Sequence, residues 1–388
     1  MLIMIVVRVK AMREVQLLYW LSLLSVHGIG VKKARQLYGK VSTYEAAKQY
    51  GVHDWLSCGL NMAQAESLYT ALKNASYKRE MTRIMDKYQF VLEDDPYYPA
   101  LLREIAIPPP MLFYKGPLSH LQRSVAIVGT RKCTSYGKKV AFESAQMLAN
   151  GDCCVVSGLA LGIDEAAHKG AIAGRGCTYA VLGSGIDHIY PPQNTRLAEQ
   201  IIESGGVILS EFLPWTKPER YRFPQRNRII SGMSKGVIIV EAGARSGALI
   251  TASYALEQNR DVYAVPGSVY SLASSGTNEL IASGAVPLLH PAAILHTLNL
   301  IPILEREAPK RSESTEDEFG LVDGVIKQWI LQELMARSMS REELMAAREE
   351  VFSVSEIDTA IIFLEISQMI RRSMDGTYQM VPNDDIVS

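Results

Sequence analysis

Val125-Ala126-Ile127-Val128-Gly129 is the stretch that decides the fold. Four apolar residues in a row end at a glycine, with no polar side chain to form a wet face. A strand that is apolar on both sides has to be covered on both sides. The pattern returns at Cys154-Val155-Val156-Ser157-Gly158, at 178–182, at 207–210, at Gly236-Val237-Ile238-Ile239-Val240-Glu241 and at 262–265. Helix-length segments separate these runs, at 136–149, 163–173, 196–203 and 246–258. Strands alternating with helices predict an α/β domain, a parallel sheet between two layers of helices. Ligands of such sheets bind at the carboxyl ends of the strands.

Several loops at those ends are rich in glycine: Gly129-Thr130-Arg131, the run from Ser157 and Gly158 to Gly162, Gly183-Ser184-Gly185, and the run from Glu241 to Gly247. Glycine lets backbone amides approach a phosphate closely. None of these loops reads GxGxxG or GxxxxGK[ST], which argues against an ordinary dinucleotide site or ATPase. A cationic cluster accompanies them. Phe223-Pro224-Gln225-Arg226-Asn227-Arg228 follows Arg220 and Arg222. Arginine presents a flat fork of donors to phosphate and stacks on bases, and Phe223 adds a stacking face. Together they match a site for single-stranded nucleic acid. The competing reading is that these arginines are buried or cap helix ends. Pro224 biases Phe223 toward extended backbone, so the segment is expected to be a loop at the ligand edge.

Net charge is −1 over 388 residues, so any nucleic-acid site must be local. The five cysteines include no CxxC pair and read as reduced thiols of a cytosolic protein, with no metal site. The apolar run 2–7 is too short for a signal segment or a membrane span. No cofactor is expected.

The chain divides into a helical region over 11–115, a sheet domain over 116–304, an acidic linker over 305–320 and a C-terminal unit over 321–388. The linker holds Glu313, Glu316, Asp317 and Glu318. In the first region Gly28 and Gly30 allow a tight turn into a helix that begins with Lys32 and Lys33. This resembles a helix-hairpin-helix (SAM-like) element, which grips DNA phosphates through amides at a helix start; a hairpin used only for packing is the other reading. In the last region three helices and a turn at Asp375-Gly376 predict a winged helix. Its third helix carries Glu356, Asp358 and Glu365 and no base before Arg371, so a structural or protein-contact role is expected there.

The middle of the chain resembles the DNA-processing protein A family, also called DprA or Smf. The matching strings include Val125 to Arg131, Thr134-Ser135-Tyr136-Gly137, Gly162-Ile163-Asp164, Ala167-His168, Tyr190-Pro191, Phe223 to Arg228, Ser246 to Thr251 and Val265-Pro266-Gly267. The resemblance implies a Rossmann-like domain that binds single-stranded DNA, forms a homodimer, delivers strands to the recombinase RecA during natural transformation and catalyses no reaction. It places the pocket arginine on Arg131. Where relatives often have Gly-Cys-Asn, this chain has Gly276-Thr277-Asn278, which adds Asn278 to the candidates. The segment 291–298 is the expected dimer surface.

A nucleotide phosphoribohydrolase-like enzyme on a related sheet is the alternative, with Asp164, His168 and Glu241 as its acids and bases. Against that, Asp164 and His168 read as caps and bridges of helix ends, and Glu241 as the ion partner of a pocket arginine.

Overall fold

The computed structural model describes residues 14–291 and, beyond them, 326, 329–335, 337–347, 354–366, 369–373 and 375–380. The expected linker and most of the expected dimer segment lie outside the described residues. The chain forms two units, Met1–Ile303 and Leu304–Ser388.

The first unit is organised by β3 (Ser124–Val128), β4 (Cys154–Ser157), β5 (Thr178–Val181), β6 (Val207–Ser210), β7 (Gly236–Ile239), β8 (Asp261–Ala264) and β9 (Val286–Pro287). These strands are parallel, and β3 lies between β4 and β7. Strand order therefore runs one way through β4, β5 and β6 and the other way through β7, β8 and β9. The carboxyl ends of β3 and β7 flank the point of reversal, the place where such sheets open a crevice.

The apolar run of β3 is covered on both faces. Val125 and Ile127 enter one core with Ala141, Ala145 and Leu148 of α8 (Ser135–Asn150) and Ala167 of α9 (Ile163–Ala173). Ala126 and Val128 enter the other with Ile229 of α11 (Arg222–Gly232) and Ala252 of α12 (Gly247–Glu257). The period of two along the strand sends alternate side chains to opposite cores. Burying each valine or isoleucine contributes about 1.5–3 kcal/mol.

The sheet holds three more strands than the sequence suggests, β9 at one end and two at the other. The helical reading of 11–115 applies through α1 (14–24), α2 (Val31–Lys40), α3 (Tyr44–Gln49), α4 (Val52–Ser57), α5 (Met62–Lys73) and α6 (Ala75–Lys87). After that only the short α7 (Ala100–Arg103) is helical, and it lies between two strands. β1 (Gln89–Leu92) and β2 (Met111–Lys115) form a hairpin, and β2 pairs antiparallel with β6. The sheet is thus mixed and nine-stranded, in the order β1-β2-β6-β5-β4-β3-β7-β8-β9. Tyr19, Trp20, Trp55 and Leu68 of the helices share one core with Leu92, Met111 and Phe113 of the hairpin. Arg35 of α2 adds a polar tie, donating to the Pro108 carbonyl at 2.7 Å and pairing with Glu93.

The second unit has helical residues 329–335, helices Arg341–Ala347 and Val354–Ile366, and an antiparallel hairpin of β10 (Ile370–Arg372) and β11 (Tyr378–Met380). Its core includes Ile330, Leu344, Ile357, Ile361 and Tyr378. Arg341 donates to both oxygens of Asp358 at 2.7 Å, which neutralises a cation at the surface. Among the described residues no helix is long and apolar enough to cross a membrane.

Candidate nucleic-acid interface

A cleft of about 690 Å³ opens where strand order reverses. Its floor is Val128, Gly129, Thr130, Arg131 and Lys132, the turn that leaves β3. Its far side is Ser246, Gly247 and Ala248, at the start of α12. The two sides are tied together, because Thr130 N–H donates to the Glu241 carbonyl at 2.7 Å. Arg220, Phe223, Arg226 and Asn227 close the cleft from the β6–α11 side.

Phe223 does not lie on a loop. It is the second residue of α11 and Pro224 the third. The bias that proline places on its predecessor is outweighed here because the first helical turn has no amide to lose. Phe223 is half-buried. One part of the ring rests against Gly183, where an added Cβ would come within 2.6 Å of Cδ1. Tyr190 packs beside it with ring centroids 5.5 Å apart. The Arg131 guanidinium stands 5.4 Å from the ring centroid, in the range of a cation–π contact.

The arginines separate into two classes. Arg131 and Arg220 are exposed, as is Lys132, and none of the three has an ion pair among the described residues. Arg226 is buried, and its guanidinium donates to the carbonyls of Gly158, at 2.8 Å, and Val181. Burial pushes its pKa down to about 10, which leaves it charged at neutral pH. Gly158 is close-packed for this reason, since a Cβ there would lie 2.5 Å from the guanidinium. Arg228 pairs with buried Glu211, whose carboxyl burial pushes up and Arg228 pulls back down. Arg222 folds onto its own loop, donating to the Lys217 carbonyl and pairing with Glu219 at 3.6 Å.

The structure therefore brings Gly129, Thr130, Arg131, Arg220, Phe223, Arg226 and Asn227 to one cleft. It gives other candidates different work. Ser157 is buried and donates to the Ile127 carbonyl at 2.6 Å. Gly158 supplies backbone to Arg226 and Asp164. Gln225 is exposed and does not line the cleft. The Asn278 amide bonds both backbone groups of Gly267, at 3.0 and 3.2 Å. The hairpin candidates stand apart from the cleft. Gly28 has φ 80°, Gly30 precedes α2, Lys32 is exposed and Lys33 donates to Gln64 at 3.2 Å. Lys132 and Tyr190 line the cleft without having been singled out; the signals were a second base beside Arg131 and an aromatic before Pro191.

The acid–base candidates of the enzymatic alternative are all buried and bonded within the fold. Asp164 is the one carboxylate lining the cleft among the described residues. It accepts from the amides of Gly158 at 3.1 Å and Ala160 at 3.4 Å. Burial raises its pKa, opposed by Arg226 and those two amides. His168 bonds Thr178 Oγ1 through Nδ1 at 2.8 Å. That hydroxyl donates onward to the Val155 carbonyl, so Nδ1 carries the proton and buried Nε2 has no partner. Burial holds its pKa down at about 3, so the ring is neutral at ordinary pH. Among the described residues Glu241 pairs with no arginine. It accepts from the amide and hydroxyl of Thr134, which corrects the expected ion pair.

Comparison with known proteins agrees with this picture. Residues 89–299 match the family model described as DNA recombination-mediator protein A. The chain is 38% identical over 314 residues to protein Smf of Synechocystis sp., covering 79% of this chain and 78% of that one. It is 45% identical over 190 residues to the DNA processing protein DprA of Bacillus subtilis, covering 48% and 64% respectively. The X-ray structure of DNA processing protein A from Streptococcus pneumoniae superposes with a TM-score of 0.62 at 34% identity. The match covers 72% of this chain and 97% of that one.

Proposed function

The chain belongs to the DNA recombination-mediator protein A family, and we propose that its cleft holds single-stranded DNA without regard to sequence. The family is one of DNA-binding recombination mediators and is not known as an enzyme, and the role of this chain is DNA processing. The observation that carries the reading of the cleft is the setting of Phe223. Three unpaired cations, Arg131, Lys132 and Arg220, share the cleft with a half-exposed aromatic ring. The one carboxylate there is already bonded. Phosphates meet the cations, a base takes the ring face, and no group reads the base edge by a fixed pattern. Gly129, Thr130 and Asn227 add backbone and amide donors.

On the family resemblance, the bound strand is passed to RecA in the cytoplasm during transformation, and the working form is a homodimer. Exposed apolar side chains support the second part of this reading: Val269, Tyr270 and Leu272 in the loop that follows β8, and Leu289 after β9. We assign the second unit as a winged helix and the N-terminal helices as a helix-hairpin-helix module braced against the sheet.

A titration of the protein against a homopolymer strand and a duplex of equal length tests the cleft. The strand should bind more tightly by at least about tenfold. With three phosphates neutralised, log affinity should fall with log salt at a slope of about −2. Equal affinity for duplex, or a slope near zero, would overturn the reading.

A further inference from the structure

Beside the cleft lies an aromatic surface that the cleft does not use. The loop between β6 and α11 carries Trp215 and Tyr221, 44% and 54% exposed. Lys217 and Arg220, between them in sequence, are exposed as well. A large aromatic ring in water forfeits its burial energy, and a slack loop would fold such rings inward. This loop is held firmly from both ends. The carbonyls on either side of Trp215 are both engaged: Pro214 O accepts from Asp187 N–H at 3.0 Å, and Thr216 O accepts from Gly185 N–H at 2.8 Å. Thr216 N–H closes a turn onto Leu213 O at 2.8 Å. Further along, the Arg222 guanidinium lies 5.4 Å from the centre of the Phe212 ring and 5.3 Å from that of Tyr221. Both rings are thus presented on fixed backbone.

The same loop that supports Phe223 supports this surface. Gly183 bears on the Phe223 ring, and Gly185 bonds the segment carrying Trp215. Two residues of chain span at most roughly 7 Å. Arg220 belongs to both places, since it lines the cleft and sits next to Tyr221.

We propose that Trp215 and Tyr221, with Lys217 and Arg220, form a second stacking platform for the bases of a single strand as it leaves the cleft. The proposal rests on the reading of the cleft as a single-stranded DNA site and extends its footprint. Two cations between two aromatic rings on a rigid rim suit a flexible polyanion with exposed base faces. They suit a duplex poorly, because its bases are stacked on one another.

Strand length separates the platform from the cleft. The full chain is titrated with oligothymidylates of about 4 and about 16 nucleotides, the span of typical site sizes, following tryptophan emission. Of the other three tryptophans, Trp20 and Trp55 are buried and Trp329 is half-buried in the second unit, so the part of the quench that Trp215→Phe removes is the part that reports on Trp215. The long strand should quench strongly and the short strand weakly. Replacing both rings, Trp215→Ala with Tyr221→Ala, should weaken the long strand by about 5- to 100-fold and leave the short strand unchanged. Trp215→Phe should keep most of the long-strand affinity while losing the quench. The platform is overturned if the double variant binds both lengths like wild type, or if it loses equally at both. It also falls if a saturating long strand leaves emission unmoved. If wild type binds neither strand, the cleft reading has failed and the platform fails with it.

Discussion

Three arginines show how residue type and role part company. Arg131 and Arg220 carry charge into the cleft without an ion pair among the described residues, whereas Arg228 is locked to buried Glu211. Arg131→Ala or Arg220→Ala should weaken single-strand binding about tenfold, below the full value of a charge-assisted contact because both residues are solvated. The melting temperature should stay within about 2 °C. Arg228→Ala should do the reverse. It strands a buried carboxylate, which costs about 3–5 kcal/mol, and chemical denaturation should show the loss. A stable Arg228→Ala protein with impaired binding would return that residue to the DNA site. His168 gives a pH signature. Its folded pKa, about 3, lies below the ordinary 6.5, so the unfolded chain takes up a proton that the folded one refuses. The stability from its neutral form is complete above pH 6.5 and is lost as pH falls toward 3. The loss is about 1.4 kcal/mol per unit. Buried Asp164 and Glu211, raised by burial, pull the other way in acid. The comparison is therefore with His168→Gln, whose unfolding free energy should decline less between pH 7 and 5. Identical slopes in the two proteins would remove His168 from the account.

Helix α11 is the element on which the site turns, and it was the least legible in the sequence. The strands were plain because Val125 to Val128 and Val237 to Ile239 are apolar without interruption, which only a doubly covered position permits. The helical start at Arg222 was hidden by the proline rule, which a first turn escapes. β1 and β2 were hidden by their length: Gln89 to Leu92 is too short to show a period, and it directly follows α6. The site residues were legible as types, since Arg131 and Phe223 stand out. They were not legible as geometry, because nothing local tells exposed Arg220 from Arg222, folded back on its own loop. The seating of Phe223 on Gly183 yields a prediction at this scale. Gly183→Ala places a methyl 2.6 Å from the ring and should tilt it out of register with Arg131. Strand affinity should fall by about 1–3 kcal/mol, as for Phe223→Ala. An unchanged affinity in both variants would show that the ring meets no base.

For the whole molecule, the balance of charge matters as much as the cleft. With net charge −1 there is no broad positive field to draw in nucleic acid, so the site works by local contact. Pairing two copies would double the number of clefts on one strand and raise avidity without a new contact. Sedimentation of the full chain should show a dimer at tens of micromolar. Charged substitutions at Leu272 and Leu289, both strongly exposed, should convert it to a monomer with its short-strand affinity intact. A monomeric wild type at that concentration would end the dimer proposal.

The insertion of β2 between β1 and β6 also bears on how the chain is made. Phe113 is paired with Ser210, roughly a hundred residues later. At translation speeds of about 5–20 residues per second, the ribosome delivers β2 several seconds before its partner exists. Until then the apolar run Met111-Leu112-Phe113 lies along an unpaired edge, held only by β1 and the helices. A nascent chain arrested before residue 207 is thus a ready client for chaperones that shield strand edges, and one released after residue 210 is not.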